Sequence, residues 1–232
     1  MTFVIEARDG RGSFNAYVAR PTAAPKAAII VIQEIFGVNP GIRQKCDTLA
    51  AAGYLAIAPD LFWRLEPGFE ADADVEAEFK QSIDMMMRYN QDKGVEDIQA
   101  TIDAARADMG GDHPKVGCVG YCLGGRLAFM TATRTSIDAT VGYYGVGIDN
   151  LLEESHAIAH PVLLHIPTND GFVPAEVQAA MHAGLDDHPK VTMYDYAGLD
   201  HGFAAEMGAR RDEEAASLAD SRTMAFFAEH LG

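Results

Sequence analysis

Between positions 27 and 33 the chain reads Ala-Ala-Ile-Ile-Val-Ile-Gln, an apolar run rich in β-branched residues. A run of that length and composition suits a strand buried on both faces. Similar short apolar stretches recur at 54–58, 116–119, 139–143, 161–166 and 191–196. Between them lie segments of helical period, at 41–52, 75–88, 95–109, 123–132, 174–184 and 210–230. The helix at 95–109 is clearest, with apolar positions at Val95, Ile98, Ile102 and Ala105 and a Gly-Gly stop at 110–111. Residues 3–7 and 14–19 read as a hairpin around the turn at 9–12. Buried strands that alternate with helices predict a mostly parallel central sheet with helices on both faces. No repeat, low-complexity segment or linker interrupts the pattern, so one domain over residues 1–232 is expected.

Composition narrows the partners. The chain has 232 residues, 48% of them hydrophobic and 22% charged, as a soluble globular protein has. The net charge of −16 disfavours binding to nucleic acid or to an anionic membrane. No apolar run reaches the length of a membrane span. The first twelve residues hold Glu6, Arg8 and Asp9 and lack the apolar core of a signal peptide. Three cysteines at 46, 118 and 122 form no disulfide framework. A cytoplasmic protein with reduced thiols is the expectation, either monomeric or a weak homodimer.

The sharpest local signal is Gly-Tyr-Cys-Leu-Gly-Gly at 120–125, between a predicted strand and a predicted helix. G-x-C-x-G is the thiol form of a nucleophile elbow. Small residues two before and two after the cysteine let strand and helix approach closely. Cys122 then projects at a helix start, where free N–H groups and a positive partial charge favour thiolate over thiol. The bland alternative is a structural cysteine in a glycine-rich turn. Cys118 lies inside the strand and reads as core, and a zinc site shared with Cys122 is disfavoured because strand and turn point the two thiols differently.

A thiolate nucleophile needs a base and a group that orients the base. Asp170 follows the strand at 161–166, and His201 follows the strand at 191–196. Loops at the carboxyl ends of parallel strands share one sheet edge, so Cys122, Asp170 and His201 are expected to converge there in the chain order nucleophile, acid, base. Taken singly, Asp170 could instead cap the segment that starts near Val173, and His201 could be a surface residue. Asp200 is a competing carboxylate, expected to point elsewhere. His156 and His160 are four apart, but Pro161 follows at once and no third ligand stands nearby, so no metal is expected. A tetrahedral intermediate needs two N–H donors. Leu123 and, from the loop after the first buried strand, Ile35 are the candidates. Glu34 stands at the edge of that apolar run, either as a salt-bridge or cap residue or as a carboxylate facing the cysteine.

These residues resemble the dienelactone hydrolase family of the α/β-hydrolase fold. The resemblance rests on QEIFGVN at 33–39, GYLAIAPDLF at 53–62, GYCLGG at 120–125, VGYYGVG at 141–147, NDGFVP at 169–174 and DHGF at 200–203, and spans about residues 27–231. It implies a triad on Cys122, Asp170 and His201, and a Glu34 that interacts with the resting thiol and moves when substrate binds. It implies hydrolysis of a small-molecule ester or lactone through an acyl-enzyme, without a cofactor. Tyr144 falls on a family tyrosine near the pocket. Two arginines that hold a substrate carboxylate in the family fall here on Ala205 and Phe79. Lys80, beside Phe79, lacks the bidentate fork of an arginine. Phe36, Trp63, Phe79, Lys80, Tyr144 and Phe203 are the expected pocket residues. Trp63, Phe79 and the three methionines at 85–87 predict a more apolar pocket and a less charged substrate. A binding protein on a hydrolase scaffold, or thioesterase, isomerase or dehalogenase chemistry at the same site, are the competing readings.

Overall fold

The computed structural model describes residues 2–232. Its elements run β1 (Thr2–Glu6), β2 (Ser13–Ala19), β3 (Ala28–Ile32), α1 (Pro40–Ala51), β4 (Leu55–Pro59), α2 (Glu76–Arg88), α3 (Gln91–Met109), β5 (Val116–Tyr121) and α4 (Leu123–Arg134). There follow β6 (Ala139–Tyr143), a 3₁₀ helix (Ile148–Ala157), β7 (Val162–Pro167), α5 (Ala175–Leu185), β8 (Val191–Tyr196) and α6 (Glu213–His230). The eight strands form a sheet in the order β1-β2-β4-β3-β5-β6-β7-β8. The two amino-terminal strands pair antiparallel, and the rest of the sheet is parallel. This is the α/β-hydrolase fold.

Period-two alternation divides the core between the two faces of the sheet. Ile30 and Ile32 of β3 join Ile98, Ile102 and Leu127 of α3 and α4 on one face. Ile29 and Val31 join Ile42 and Leu49 of α1 and Phe227 of α6 on the other. Every residue of β3, β4, β5, β6 and β7 is buried, which is why these strands read as continuous apolar runs.

The helices start where side chains satisfy their first N–H groups. Asn39 caps α1 by accepting from the Ile42 N–H, with Pro40 at the first position. Asn90 does the same for α3 through the Lys93 N–H, so that helix begins four residues ahead of the apolar pattern at Val95. Asp212 caps α6 and sets its start at Glu213 rather than 210. The 3₁₀ helix at Ile148–Ala157 carries no helical signature of period 3.6. It buries Ile148 and Leu151, three apart, as the eclipsed side chains of a 3₁₀ helix allow. Among the described residues no helix is long and apolar enough to cross a membrane.

Chain order fixes where a site can form. From β3 the chain moves outward to β4, then returns past β3 to β5 on its other side. The switch point thus lies between the carboxyl ends of β3 and β5, where open α/β sheets leave a crevice.

Candidate active site

Cys122 lies at the end of β5 as the residue before α4, with φ 55° and ψ −115°. This left-handed region is costly for a residue with a Cβ. The surroundings hold it there. The Cys122 N–H donates to the Tyr143 carbonyl at 3.1 Å, and the Cys122 carbonyl accepts from Gly125 and Arg126. A Cβ on Gly120 would stand 1.9 Å from the Gly124 carbonyl oxygen, and one on Gly124 would stand 2.4 Å from that of Ile32. The motif glycines are therefore required by close approach of the turn to itself and to β3.

β3 and β5 pair in register, with Ile32 opposite Gly120. Ile35 and Leu123 each follow three residues later, one on either side of the crevice. Both line the same cavity as Cys122. Neither N–H donates to a protein acceptor among the described residues.

His201 and Asp170 arrive on the loops after β8 and β7. His201 donates from Nδ1 to Asp170 Oδ2 at 2.8 Å, and both residues are about 5% exposed. The other Asp170 oxygen accepts from the Phe172 N–H at 2.8 Å. Asp170 thus organises its own turn as well as the imidazole. The opposite ring nitrogen, Nε2, is buried and closes no hydrogen bond among the described residues. Cys122 lies near enough to act as the second partner of the ring. Burial works against the imidazolium, but Asp170 and Cys122 outweigh it and raise the His201 pKa to about 10. Tyr144 packs edge-on behind the ring at 5.0 Å, and Phe172 packs edge-on at 4.8 Å.

Asp200 is not idle. Its Oδ1 accepts from the Gly171 N–H at 3.1 Å and from the His201 N–H at 2.7 Å. It therefore joins the loop that carries Asp170 to the loop that carries His201.

Glu34 borders the cavity beside Cys122. Burial pushes its carboxyl above the ordinary carboxylate range, while His201, Lys45 and Arg210 pull the other way. The Tyr144 hydroxyl approaches Glu34 without closing a hydrogen bond of good geometry.

The cavity above these residues measures about 400 Å³ and is mostly apolar. Phe36 and Phe79 line it as expected, their rings 6.0 Å apart. Of the three methionines, Met86 lines it, Met85 is in the core and Met87 points to solvent. Four expected pocket residues lie outside the lining. Trp63 stacks on Phe14 at 5.7 Å and donates from Nε1 to Asp97 at 2.8 Å, at the far side of the β2 hairpin. Lys80 pairs with Glu76 one turn back on the exposed face of α2. Phe203 is buried against Tyr144 and Tyr196. Tyr144 stands behind the histidine rather than in the cavity.

Sequence reasoning missed Ile83, Phe172, Arg126 and Arg210, which all line the cavity. Ile83 had a signal, because Phe79, Ile83 and Met86 share one helical face at i, i+4 and i+7. The arginines had none. Arg126 is engaged by Gln91 Oε1 at 2.8 Å and by the Gly147 carbonyl. Arg210 lies over the Phe172 ring at 5.9 Å. No group of three or more His, Cys, Asp or Glu side chains among the described residues is arranged to hold a metal ion.

Comparison with known proteins bears on this arrangement. The model of the dienelactone hydrolase family matches residues 14–231. A protein of Azospirillum brasilense, provisionally named a carboxymethylenebutenolidase, is 44% identical over 222 residues, covering 95% of each chain. The carboxymethylenebutenolidase of Pseudomonas putida is 37% identical over 97% of this chain and 94% of its own. A crystal structure from Klebsiella pneumoniae, provisionally described as a dienelactone hydrolase, superposes with a TM-score of 0.84 at 29% identity, covering 99% of each chain.

Proposed function

The chain belongs to the dienelactone hydrolase family, and from that premise we propose that it cleaves a carboxylic ester or lactone with Cys122 as nucleophile, His201 as base and Asp170 as the group that orients the base. One observation carries the reading. His201 is fixed through Nδ1 by Asp170, its buried Nε2 has no partner among the described residues, and the residue borders the same cavity as Cys122 on its strained elbow.

The chemistry follows from the placement. His201 Nε2 takes the proton of the Cys122 thiol, which leaves an imidazolium beside a thiolate; Asp170 favours that cation by raising the His201 pKa. Sulfur attacks the carbonyl carbon, and the carbonyl π pair moves to oxygen. That oxyanion accepts from the Leu123 and Ile35 N–H groups. On collapse the C–O bond to the alcohol breaks, and His201 Nε2 gives its proton to the leaving oxygen. Water then enters; Nε2 takes its proton as the oxygen adds to the thioester carbon. A second collapse expels the Cys122 thiolate and releases the acid. Asp170 keeps the ring in the right tautomer and stabilises its cation without taking the proton itself. Glu34 is the accessory carboxyl at the resting thiol. Of the family positions that carry arginine, Phe79 and Ala205 line this cavity instead, which supports a substrate whose buried part is less charged.

The test is a chromogenic ester with the protein analysed by mass spectrometry. A mass increase equal to the acyl group on Cys122, and a loss of about 10³-fold or more in kcat for Cys122→Ala, are expected. Wild-type turnover in Cys122→Ala would falsify the nucleophile assignment.

A further inference from the structure

We infer that the inner face of α2 is an acyl-binding wall, and that the acyl group of the substrate is an uncharged hydrocarbon of roughly butyryl to octanoyl length. This rests on the ester-cleaving role of Cys122.

The two sides of the cavity differ in what they can hold. His201 must protonate the leaving oxygen, so the alcohol part lies on its side. That side carries Phe172, edge-on to the imidazole, with Arg210 above it. The carbonyl oxygen points the other way, to Ile35 and Leu123. Phe36 follows Ile35 directly, and its ring meets that of Phe79 on α2. With the alcohol on the His201 side and the oxyanion at Ile35 and Leu123, we place the acyl group on the remaining side, where α2 closes the cavity beside Phe36.

There it meets Phe79, Ile83 and Met86, with Val146 also lining the cavity. These three positions of α2 are only half-buried in the protein alone. The charges of the helix are turned elsewhere: Lys80 pairs with Glu76, and Arg88 pairs with Asp84. Two cations line the cavity, Arg126 and Arg210, but neither belongs to α2: Arg126 is tied to Gln91 and the Gly147 carbonyl, and Arg210 lies over Phe172 on the alcohol side. The volume sets the size. A cavity of about 400 Å³ lies toward the lower end of the roughly 300–1,000 Å³ typical of small-ligand pockets. It exceeds what a bare acetyl ester fills, and its surplus surface is apolar.

The experiment is a series of p-nitrophenyl esters, from acetate through butyrate and hexanoate to octanoate, with the monoester of adipate as the anionic equal of hexanoate. Each methylene buried on the wall raises kcat/KM by about two- to four-fold. Hexanoate should thus exceed acetate by at least about ten-fold, and should exceed the adipate monoester by a similar factor. Ile83→Lys should then raise the adipate-to-hexanoate ratio by about ten-fold or more, a gain that misfolding cannot imitate. A flat chain-length series, a wild-type preference for the adipate monoester, or an unchanged ratio in Ile83→Lys overturns the wall. Failure of the nucleophile reading looks different, because Cys122→Ala would then keep wild-type turnover with its chain-length dependence intact. Should no ester turn over, neutral hexanamide and anionic adipamate are titrated into Cys122→Ala protein. Tighter binding of hexanamide supports the wall, and equal or weaker binding overturns it.

Discussion

The carboxylate of Asp200 accepts the Gly171 N–H at 3.1 Å, which ties the turn after β7 to the turn after β8. A second bond to the His201 N–H at 2.7 Å completes a staple between the two loops. Asp170 and His201 are 31 residues apart in sequence, and their 2.8 Å contact depends on the relative position of those loops. Asp200→Ala should lower kcat by about 10- to 100-fold with a smaller change in KM, as loss of supporting hydrogen bonds does elsewhere. Asp200→Asn keeps an oxygen acceptor at the same place and should recover most of the rate. Equal loss in both variants would mean that charge, not the staple, is what matters. The two N–H groups also hold the Asp200 carboxyl below its ordinary pKa, so the staple should survive acidification through the range where a free aspartate protonates.

The state of His201 gives a pH prediction. Its folded pKa lies near 10, above the 6.5 of a free imidazole. A raised histidine pKa contributes stability that is fully present below 6.5 and is lost as pH rises toward 10. Urea midpoints should therefore fall across that window. In Asp170→Asn the fall should be shallower. Nuclear magnetic resonance of the His201 ring should show its titration moving down when Cys122 is replaced by Ala, because one of the two partners is gone.

Glu34 should respond in the opposite way to neutralisation. Burial raises its pKa, so charging the carboxyl as pH climbs above 4.5 costs stability. Glu34→Gln removes that cost. Above neutral pH the variant should melt at a higher temperature than the wild type. Below pH 4 the two proteins should converge. Equal melting temperatures at pH 8 would show that the carboxylate is compensated in the folded protein.

The elbow glycines offer a steric test. Gly124→Ala places a methyl group 2.4 Å from the Ile32 carbonyl oxygen and 2.6 Å from that of Gln33. Backbone atoms cannot move aside cheaply, so a loss of about 1–3 kcal/mol in urea unfolding is expected. Activity should fall further than stability alone explains, because any shift of Gly124 also moves the neighbouring Leu123 N–H.

The residues at Cys122, Asp170 and His201 were readable because each follows a strand with a strong local signature. Parallel strands deliver their carboxyl ends to one edge, so three local signals became one spatial expectation; Asp170 and His201 are in contact, and Cys122 borders the same cavity as His201. The pocket was less readable because its walls come from elements distant in sequence. Trp63 is apolar and close to a family motif, yet its indole is committed to Phe14 and Asp97. Lys80 and Phe79 are adjacent, but a helix turns neighbours about 100° apart, so only one faces the cavity. Arg210 sits nine positions past His201 in an irregular segment, where no periodicity announces direction. Asp200 was expected to point away from the histidine's work; its side chain does leave the ring, but reaches the backbone that aims it.

The pairing of Ile32 with Gly120 has a consequence for how such a protein diversifies. Ile35 and Leu123 sit at equal steps beyond that rung of the sheet, so the two segments that carry their amides leave the sheet from neighbouring strands at one level. Helix α2 has no part in setting it. Selection can thus redraw the wall that greets the incoming molecule while the ruler that measures the reacting oxygen stays untouched.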